Sequence, residues 1–285
     1  MVENIIEVSH LKKSFKDHHV LKDVNFSVKK GSIFALLGSN GAGKTTIIKI
    51  LSTLTKANSG SVSICGFDVD KEANMVRDCI SLTGQFVAVD EVLSGKENLK
   101  LIGELKRIKN VNKKVDEWLV ISNLIEAANQ KVSTYSGGMK RRLDIAMSLM
   151  GNPSIVFLDE PTTGLDPQNR IAMWKFVEDL AAKGTTIVLT TQYLEEAEQL
   201  ADDIAILHNG KIIARGTPQY LKEIVPTNGA KLSFESEKEA EKALKLLQKS
   251  DINVESFEQN MPTLEAVFLS LIDDKKETIH HETKK

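Results

Sequence analysis

The stretch GSNGAGKTT, which runs from Gly38 to Thr46, has residue types and a spacing that suit phosphate binding. It fits the pattern G-x-x-x-x-G-K-[ST], with Gly38, Gly43, Lys44 and Thr45 at the fixed positions. Gly-rich backbone can fold closely around a polyphosphate and point several N–H groups at it, while Lys44 supplies a positive charge for the β- and γ-phosphates. The Thr45 hydroxyl is placed to bind Mg²⁺. The predicted phosphate-binding residues are Gly38, Ser39, Asn40, Gly41, Ala42, Gly43, Lys44, Thr45 and Thr46.

A second group of chemically suited residues, Asp159 and Glu160, ends the apolar run in the segment IVFLDEP. The carboxyl end of a buried strand is where open α/β sheets bind ligands. Asp159 is suited to hold Mg²⁺ through water, and Glu160 is the natural general base for an attacking water molecule. Alone, the pattern fits a buried strand ending in two solvated acids equally well. The phosphate-binding loop upstream favours the catalytic interpretation.

Elements of the right kind flank the phosphate-binding loop. The apolar run Ile33–Leu37 predicts a buried strand that leads into it, and Thr46–Leu54 has the spacing of a helix. A helix N-terminus aimed at the phosphates adds its dipole to the site. Before the loop, Ile5–Ser9 and Val20–Val28 predict strands of a small antiparallel unit.

The rest of the chain alternates strands with helices around one helical block. From Leu93 to Met150 the pattern is helical, and strands are predicted at Ile155–Leu158, Thr186–Leu189 and Ile204–Leu207. This order predicts an α/β fold of two lobes around a mixed or parallel sheet. The predicted units are a nucleotide-binding domain over residues 1–225 with its helical subdomain at about 86–150, a small α+β extension over 226–273, and a disordered tail over 274–285. Within the extension a strand is predicted near 231–235, with helices near 237–248 and 262–272.

Composition excludes several functional classes. The 285 residues include 37 Lys and Arg against 39 Asp and Glu, so a general nucleic-acid-binding surface is not expected. Two cysteines in a chain of this size favour a reducing cytoplasm over a disulfide scaffold. The N-terminus lacks the profile of a signal peptide, and no apolar run approaches the length of a membrane span. A membrane role is therefore expected only through a partner.

A third motif brings in a family resemblance. The segment TYSGGMKRR contains Ser136, Gly137 and Gly138 ahead of a predicted helix, which makes a second phosphate cradle at a helix N-terminus. With the phosphate-binding loop upstream and the acidic strand directly after it, the chain resembles the ATP-binding subunits of ABC transporters. Its signature motif departs from the family pattern at Tyr135 and Met139. The resemblance implies ATP and Mg²⁺ as ligands, and a second copy of the chain whose P-loop ATP is contacted by Ser136 and Gly138.

The resemblance also assigns roles to single residues. It implies that Gln85 couples Mg²⁺ to the transmembrane partner, that Asp166 belongs to a loop crossing the dimer interface, and that Phe15 stacks on adenine; a core role for Phe15 is the alternative. At the switch position, where the family usually has His, the chain has Gln192. An amide donates a hydrogen bond but cannot carry a proton away, so Gln192 is predicted to contact the γ-phosphate while Glu160 acts as base.

Gln192, the stretch LTGQFVAVDEVLSGKENL and the closing PTLEAVFLSL are similar to one branch of the family, the ATP-binding proteins of daunorubicin-resistance exporters. This resemblance implies the ATP-hydrolysing subunit of an exporter, which moves a drug, antibiotic or lipid-like substrate through a separate permease. It is expected as a homodimer on the cytoplasmic face of the membrane, without nucleic acid. The alternatives are a soluble ATPase of the same family that acts on ribosomes or DNA, and a regulatory module that does not hydrolyse ATP. The chain has one P-loop and one signature motif and no coiled-coil insertion, which argues against the ribosome or DNA alternative. Asp159 and Glu160 are both present, which argues against a regulatory module without hydrolysis.

Four further groups are given ordinary structural roles. The His18–His19 pair is predicted to be surface loop, and Trp118 and Trp174 to be core. Arg141 and Arg142 could contact phosphate but are predicted to form surface or interface ion pairs. The acids of Glu195–Glu198 are predicted to lie on a solvated helix face.

Overall fold

The computed structural model describes residues 3–224, 242–243 and 245–247. Chain contacts divide the protein into two units, Met1–Pro218 and Gln219–Lys285. The first unit contains two sheets and the helices that cover them. Of the predicted C-terminal extension, residues 242–243 and 245–247 are helical, within the helix expected over 237–248. The strand near 231–235, the helix near 262–272 and the tail lie outside the described residues.

The first sheet is antiparallel and has the strand order β2-β1-β4-β5. The two strands nearest the N-terminus are long, with 12 residues each. Buried and exposed positions alternate along much of their length, because one face of the sheet is buried and the other is solvated. The predicted antiparallel unit is thus confirmed, although the strand before the P-loop belongs to the other sheet. The strands are β1 (Asn4–Phe15), β2 (His18–Lys29), β4 (Ser59–Ile64) and β5 (Phe67–Asp68).

The second sheet is mixed and has the order β10-β9-β3-β8-β7-β6. Every pair in it is parallel except β9 and β10. Its central strands are buried at every position, as expected of strands covered on both faces. The strands are β3 (Ile33–Leu37), β6 (Ile80–Thr83), β7 (Ile155–Asp159), β8 (Thr186–Thr191), β9 (Asp203–His208) and β10 (Lys211–Gly216).

Helices complete the fold. A helical block lies between β6 and β7, at the position predicted from the sequence. It contains α3, α4 and α5, joined by a short 3₁₀ turn at Val132–Thr134. The helices are α1 (Lys44–Leu51), α2 (Ala73–Cys79), α3 (Gly95–Leu105), α4 (Val111–Ile121), α5 (Gly137–Leu149), α6 (Pro167–Ala182), α7 (Leu194–Leu200) and α8 (Pro218–Ile224). The predicted α/β fold class is confirmed.

The main hydrophobic core joins the two sheets through α1. Fully buried residues of α1, such as Ile47 and Leu51, share one apolar cluster with residues of β1, β2 and β3. Phe26 of β2 stacks on Phe34 of β3 with ring centroids 5.1 Å apart. Because α1 begins at the P-loop, this packing also fixes where the loop lies.

Candidate functional site

Four neighbouring parallel strands bring the predicted site residues to one edge of the second sheet. In spatial order these strands are β3, β8, β7 and β6. The P-loop follows β3, Gln192 follows β8, Glu160 follows β7, and Gln85 lies two residues after β6. Carboxyl ends of parallel strands meet at the same edge of a sheet, so residues far apart in the chain share one site.

The P-loop is held against the sheet by backbone contacts that depend on glycine. The Gly38 N–H donates to the Thr191 carbonyl at 3.2 Å. A Cβ on Gly38 would lie 2.4 Å from the Leu207 carbonyl oxygen, and Gly43, with φ of 113°, would place a Cβ 2.7 Å from the Leu21 side chain. The loop therefore needs glycine at both positions, for close approach at Gly38 and for backbone conformation at Gly43.

Lys44 is buried and turned into its own loop. Its ammonium donates to the carbonyls of Gly38 at 2.7 Å and Ser39 at 3.2 Å, and it lies 3.5 Å from the Glu160 carboxylate. Burial lowers the pKa of Lys44, and the nearby Glu160 and Asp159 oppose that change. The ammonium thus has the position from which it can exchange a carbonyl or carboxylate partner for phosphate oxygens.

The acidic pair at the end of β7 is held by β8. Asp159 is buried and its carboxylate accepts a short hydrogen bond from the Thr190 hydroxyl. The Glu160 N–H donates to Thr190 as well, at 3.1 Å. Glu160 has φ of 49°, a left-handed backbone that is uncommon outside glycine. Such strain persists where surrounding contacts hold it, and here it turns the Glu160 carboxylate away from the strand line towards Lys44.

Glu160 is also reached from the other loops. The Glu160 carboxylate accepts a hydrogen bond from the Gln85 amide at 3.4 Å and another from the Thr163 hydroxyl at 3.3 Å. Gln192 lines the same cavity, and its side chain is partly exposed. The carboxylate predicted as general base therefore lies among a cation, an amide and a hydroxyl, all of them suited to polar ligands.

These groups line an open cavity of about 680 Å³, large enough for a nucleotide. Phe15 lines it with half of its surface exposed, at the end of β1. Phe15 is therefore not in the core, and the Lys13 ammonium lies over its half-exposed ring, 4.9 Å from the centroid. The lining residues are Phe15, His18, Val20, Ser39, Asn40, Gly41, Gly43, Lys44, Thr45, Thr46, Gln85, Glu160, Thr163 and Gln192.

Three lining residues were not predicted from the sequence. His18 and Val20 come from the start of β2, and Thr163 follows the acidic strand. The sequence predicts surface loop at His18; its side chain is exposed, but it begins strand β2 and lines the cavity, and nothing in its neighbourhood in the chain distinguishes it. The position of Thr163, three residues after Glu160, was the one signal that could have pointed to it.

The oxygen donors fit a magnesium ion carried by a nucleotide. Thr45 supplies a hydroxyl, Gln85 an amide oxygen and Asp159 a carboxylate, which are the ligand types that Mg²⁺ prefers. Within the described parts of the chain, no cluster of three His, Cys, Asp or Glu residues could hold a metal alone. Mg²⁺ typically takes one or two protein carboxylates together with substrate phosphates and water. A site with few protein ligands therefore suits an ion that is bound with ATP.

The signature segment lies apart from this cavity. Ser136 caps α5, where its hydroxyl accepts from the Met139 N–H at 3.3 Å, and its side chain is exposed. Gly138 packs closely on α6, because an added Cβ would lie 2.3 Å from the Asn169 side chain. The backbone N–H of Asn169 in turn donates to the carboxylate of the exposed Asp166, with 2.9 Å between nitrogen and oxygen. None of Ser136, Gly137, Gly138 and Asp166 lines the cavity of its own chain.

Two ordinary interpretations from the sequence are wrong. Within Glu195–Glu198, Glu196 is fully buried, and its carboxylate accepts from the Thr162 hydroxyl at 2.8 Å and the Trp174 indole at 3.3 Å. Burial raises the pKa of Glu196, and hydrogen bonds to it oppose that rise. Arg141 forms an ion pair, as predicted, but the pair is with Asp144 and is buried rather than on the surface. Both were misjudged because neighbouring acids or bases in a sequence do not show which of them faces a packed element.

Comparison with known proteins gives a consistent result. The ABC transporter family matches residues 21–163. The chain is similar to a daunorubicin resistance ATP-binding protein of Streptomyces coeruleorubidus, with 45% identity over 224 residues, 78% of this chain and 71% of that protein. It is also similar to a doxorubicin resistance ATP-binding protein of Mycobacterium tuberculosis, with 49% identity over 72% of this chain and 65% of that protein. A Nod factor export ATP-binding protein of Ralstonia nicotianae is 38% identical over 76% of this chain and 68% of its own length.

Solved structures agree with the fold. The structure of cbiO1 from Clostridium perfringens, part of the ABC transporter complex cbiONQ, has a TM-score of 0.73 and 25% identity over 86% of this chain and 95% of that one. A dimeric ATP-binding cassette in a post-hydrolysis state, bound to ADP and Pi, has a TM-score of 0.66 and 26% identity over 74% of this chain and 98% of that one.

Proposed function

Because this chain belongs to the ABC transporter family, whose ATP-binding subunits hydrolyse ATP, we propose that it powers export of a drug, an antibiotic or a lipid-like molecule through a separate permease. The names of its relatives support export, since they include drug-resistance and Nod factor export proteins. They do not favour the alternative of an ATPase that acts on ribosomes or DNA. Among the described residues, none of the helices has the length and apolar character of a membrane span.

The observation that supports ATP hydrolysis best is that polar groups from several loops surround Glu160. Its carboxylate lies 3.5 Å from the Lys44 ammonium and within reach of Gln85 and Thr163, in a cavity with the P-loop on one side. In the proposed mechanism Lys44 and the loop N–H groups hold the γ-phosphate, which releases Glu160 from the ammonium. Glu160 then accepts the proton of the attacking water, while Gln192 donates a hydrogen bond to the γ-phosphate.

Mg²⁺ bound by Thr45, Gln85 and Asp159 would neutralise charge on the phosphates. The short bond from Thr190 orients the Asp159 carboxylate for that role. The Phe15 ring, half exposed at the cavity rim, would stack on adenine.

The site of one chain is incomplete in this proposal. Ser136, Gly137, Gly138 and Asp166 lie outside the cavity of their own chain. A second copy would present Ser136 and Gly138 to the γ-phosphate, and its Asp166 would lie in a loop that crosses the dimer interface. The dimeric ADP-bound cassette among the similar structures supports this arrangement. Closing and reopening of the dimer would then transmit the work of hydrolysis to the permease on the cytoplasmic face. Residues 1–225 would form the ATP-binding domain and 226–273 an extension.

The test is ATP hydrolysis by the full chain with and without the permease. With Mg²⁺, wild-type protein is expected to hydrolyse ATP, and Glu160→Gln to reduce kcat by about 100-fold or more while ATP binding is retained. Glu178→Gln, an exposed acid of α6, is the matched control and should keep the wild-type rate. Co-purification with a polytopic membrane protein that stimulates the ATPase would support the transport role. Full turnover by Glu160→Gln would contradict the mechanism.

A further inference from the structure

Arg141 is a buried cation that contacts two separate loops of the site. It lies on α5, five residues after the capping Ser136, and is 3% exposed. Its guanidinium donates to the Gly84 carbonyl at 2.6 Å, next to Gln85. It also donates to backbone carbonyls of the acidic strand end, at 3.1 Å to Asp159 and 3.3 Å to Pro161. The carbonyls of Asp159 and Pro161 flank Glu160, the proposed base.

Asp144, one turn further along α5, completes the contact. Its carboxylate lies 3.4 Å from the Arg141 guanidinium and accepts from the Ala88 N–H at 3.3 Å. Arg141 and Asp144 therefore bind the two ends of the segment 84–88. Between those ends, Gln85 and Phe86 are exposed, Phe86 by 87%.

Stability alone does not account for this pair. A buried ion pair loses the hydration of both charges, and packed apolar residues of similar volume often stabilise a protein equally well. Burial raises the pKa of Asp144 and lowers that of Arg141, as expected for groups removed from water. A guanidinium does provide five donors in a rigid, planar arrangement, which makes its contacts directional. Here three backbone carbonyls and one carboxylate receive them.

We propose that the Arg141–Asp144 pair is a positioning element that holds the Gln85 segment, the backbone around Glu160 and the signature helix α5 in one fixed arrangement. In this arrangement, the ATP bound at a subunit's own P-loop sets the orientation of that subunit's Ser136–Gly138 segment. That segment in turn contacts the second ATP of the dimer, which is bound at the P-loop of the other subunit. Each subunit thereby links the two ATP sites of the dimer. The inference rests on the proposed dimeric ATPase and names the residues through which its sites communicate.

The test is a steady-state comparison of full-length wild type with the double variant Arg141→Gln/Asp144→Asn, which removes both charges while both side chains stay polar and no larger than the originals. Binding of a fluorescent ATP analogue is expected to change by no more than about twofold, because the P-loop is untouched. By contrast, kcat is expected to fall about tenfold through misplacement of Glu160 and Gln85. The Hill coefficient for ATP is expected to fall from about 2 to about 1.

Arg142→Gln is the matched control. Arg142 is the adjacent guanidinium on α5, is half-buried, and donates to the Ser122 carbonyl of the helical block instead of the site. Its kcat and Hill coefficient should remain at the wild-type values. A general loosening of α5 would reduce kcat in both variants alike, which would contradict a specific role for the pair.

The outcomes separate this inference from the proposed function. If wild-type protein neither binds nor hydrolyses ATP, the proposed function fails. If wild-type protein is active and the double variant keeps its kcat and Hill coefficient, the positioning role is wrong. Should circular dichroism show that the double variant is unfolded, Arg141→Lys decides: it keeps the charge beside Asp144 but cannot reach three carbonyls, so binding should persist while kcat and cooperativity fall. Wild-type kinetics in Arg141→Lys would overturn the proposal.

Discussion

At the residue scale, the site depends on groups whose contacts hold them in uncommon states. Glu160 has a left-handed backbone, Lys44 is a buried ammonium, and Glu196 is a fully buried carboxyl. Each is held by neighbours from other elements, and Thr190 contacts both Asp159 and Glu160. Two predictions belong to this scale.

The first concerns the switch position. Gln192→Ala removes the predicted amide donor to the γ-phosphate and is expected to reduce kcat by about 100-fold, as loss of an electrostatic donor commonly does. Gln192→His retains a donor and should stay within about tenfold of wild type. The measurement is kcat for Mg-ATP at saturating concentration. Hydrolysis by Gln192→Ala at the wild-type rate would show that Gln192 has no such role.

The second concerns pH and Glu196. Burial raises the pKa of this carboxyl in the folded state above the unfolded value of about 4.5. The folded state therefore holds the proton more tightly, so this contribution to stability is complete below pH 4.5 and is lost as pH rises towards the folded pKa. Glu196→Gln stays neutral and keeps an oxygen acceptor for Thr162 and Trp174. We expect its free energy of unfolding, measured with urea, to increase relative to wild type as pH rises from 4.5.

The neighbouring exposed Glu195→Gln is the control, and its difference from wild type should not vary with pH in this way. A constant difference between Glu196→Gln and wild type across that range would rule out a raised pKa for Glu196.

At the element scale, two helices of the helical block begin with a serine cap. Ser94 begins α3 with a capping box, in which it accepts from the Glu97 N–H and Glu97 accepts from the Ser94 N–H. Ser136 begins α5 with a single cap bond, to Met139. The two serines thus have the same structural role on helices of the same block, yet only Ser136 belongs to the signature motif.

This pair separates a capping role from a catalytic one. Ser94→Ala and Ser136→Ala are each expected to cost about 1 kcal/mol of stability through loss of a helix cap. Only Ser136→Ala should reduce kcat, by about tenfold, because its hydroxyl is also the predicted contact to the γ-phosphate of the partner subunit. Urea unfolding and ATP turnover measure the two effects. An equal reduction of kcat in both variants would assign Ser136 a structural role alone.

At the scale of the whole molecule, the proposed dimer requires that one chain contribute to two ATP sites. The cavity contains Lys44 and Glu160, while Ser136 and Asp166 are exposed elsewhere on the same chain. In a two-fold dimer the same patches meet twice, so each ATP would take its P-loop from one copy and its signature segment from the other.

Mixed dimers test this arrangement. Lys44→Ala and Ser136→Ala should each be impaired in ATP hydrolysis alone. In a dimer that contains one copy of each variant, one site takes both defects and the other takes none. Mixing equal amounts is therefore expected to restore roughly a quarter of the wild-type ATPase activity, since half of the dimers then have one intact site of two. Wild type mixed with Lys44→Ala is the control for exchange of subunits. Absence of any rescue, when exchange is demonstrated, would mean that each chain completes its own site.

Local patterns in the sequence were sufficient for the phosphate-binding loop, the acidic strand end and the signature cap. Each depends on residues within about one turn or one strand, such as the glycines of the P-loop and the apolar run before Asp159. The α/β class and the inserted helical block also followed, because alternating strand and helix periodicity is a local property. Strands β4, β5, β6 and β10 and helices α2 and α8 do not follow from the sequence, because they are only partly buried and their periodicity is therefore weak.

Only the tertiary structure decided which groups meet. The strand order places Gln85, Glu160 and Gln192 at one edge, although up to 107 residues separate them in the chain. It also showed that Glu196 and Arg141 are buried, and that His18 lines the cavity. Burial of a polar side chain depends on elements that are distant in sequence, and so do the hydrogen bonds that make it tolerable. The sequence by itself therefore determined which chemistry the chain contains, and long-range packing determined how its parts are held together.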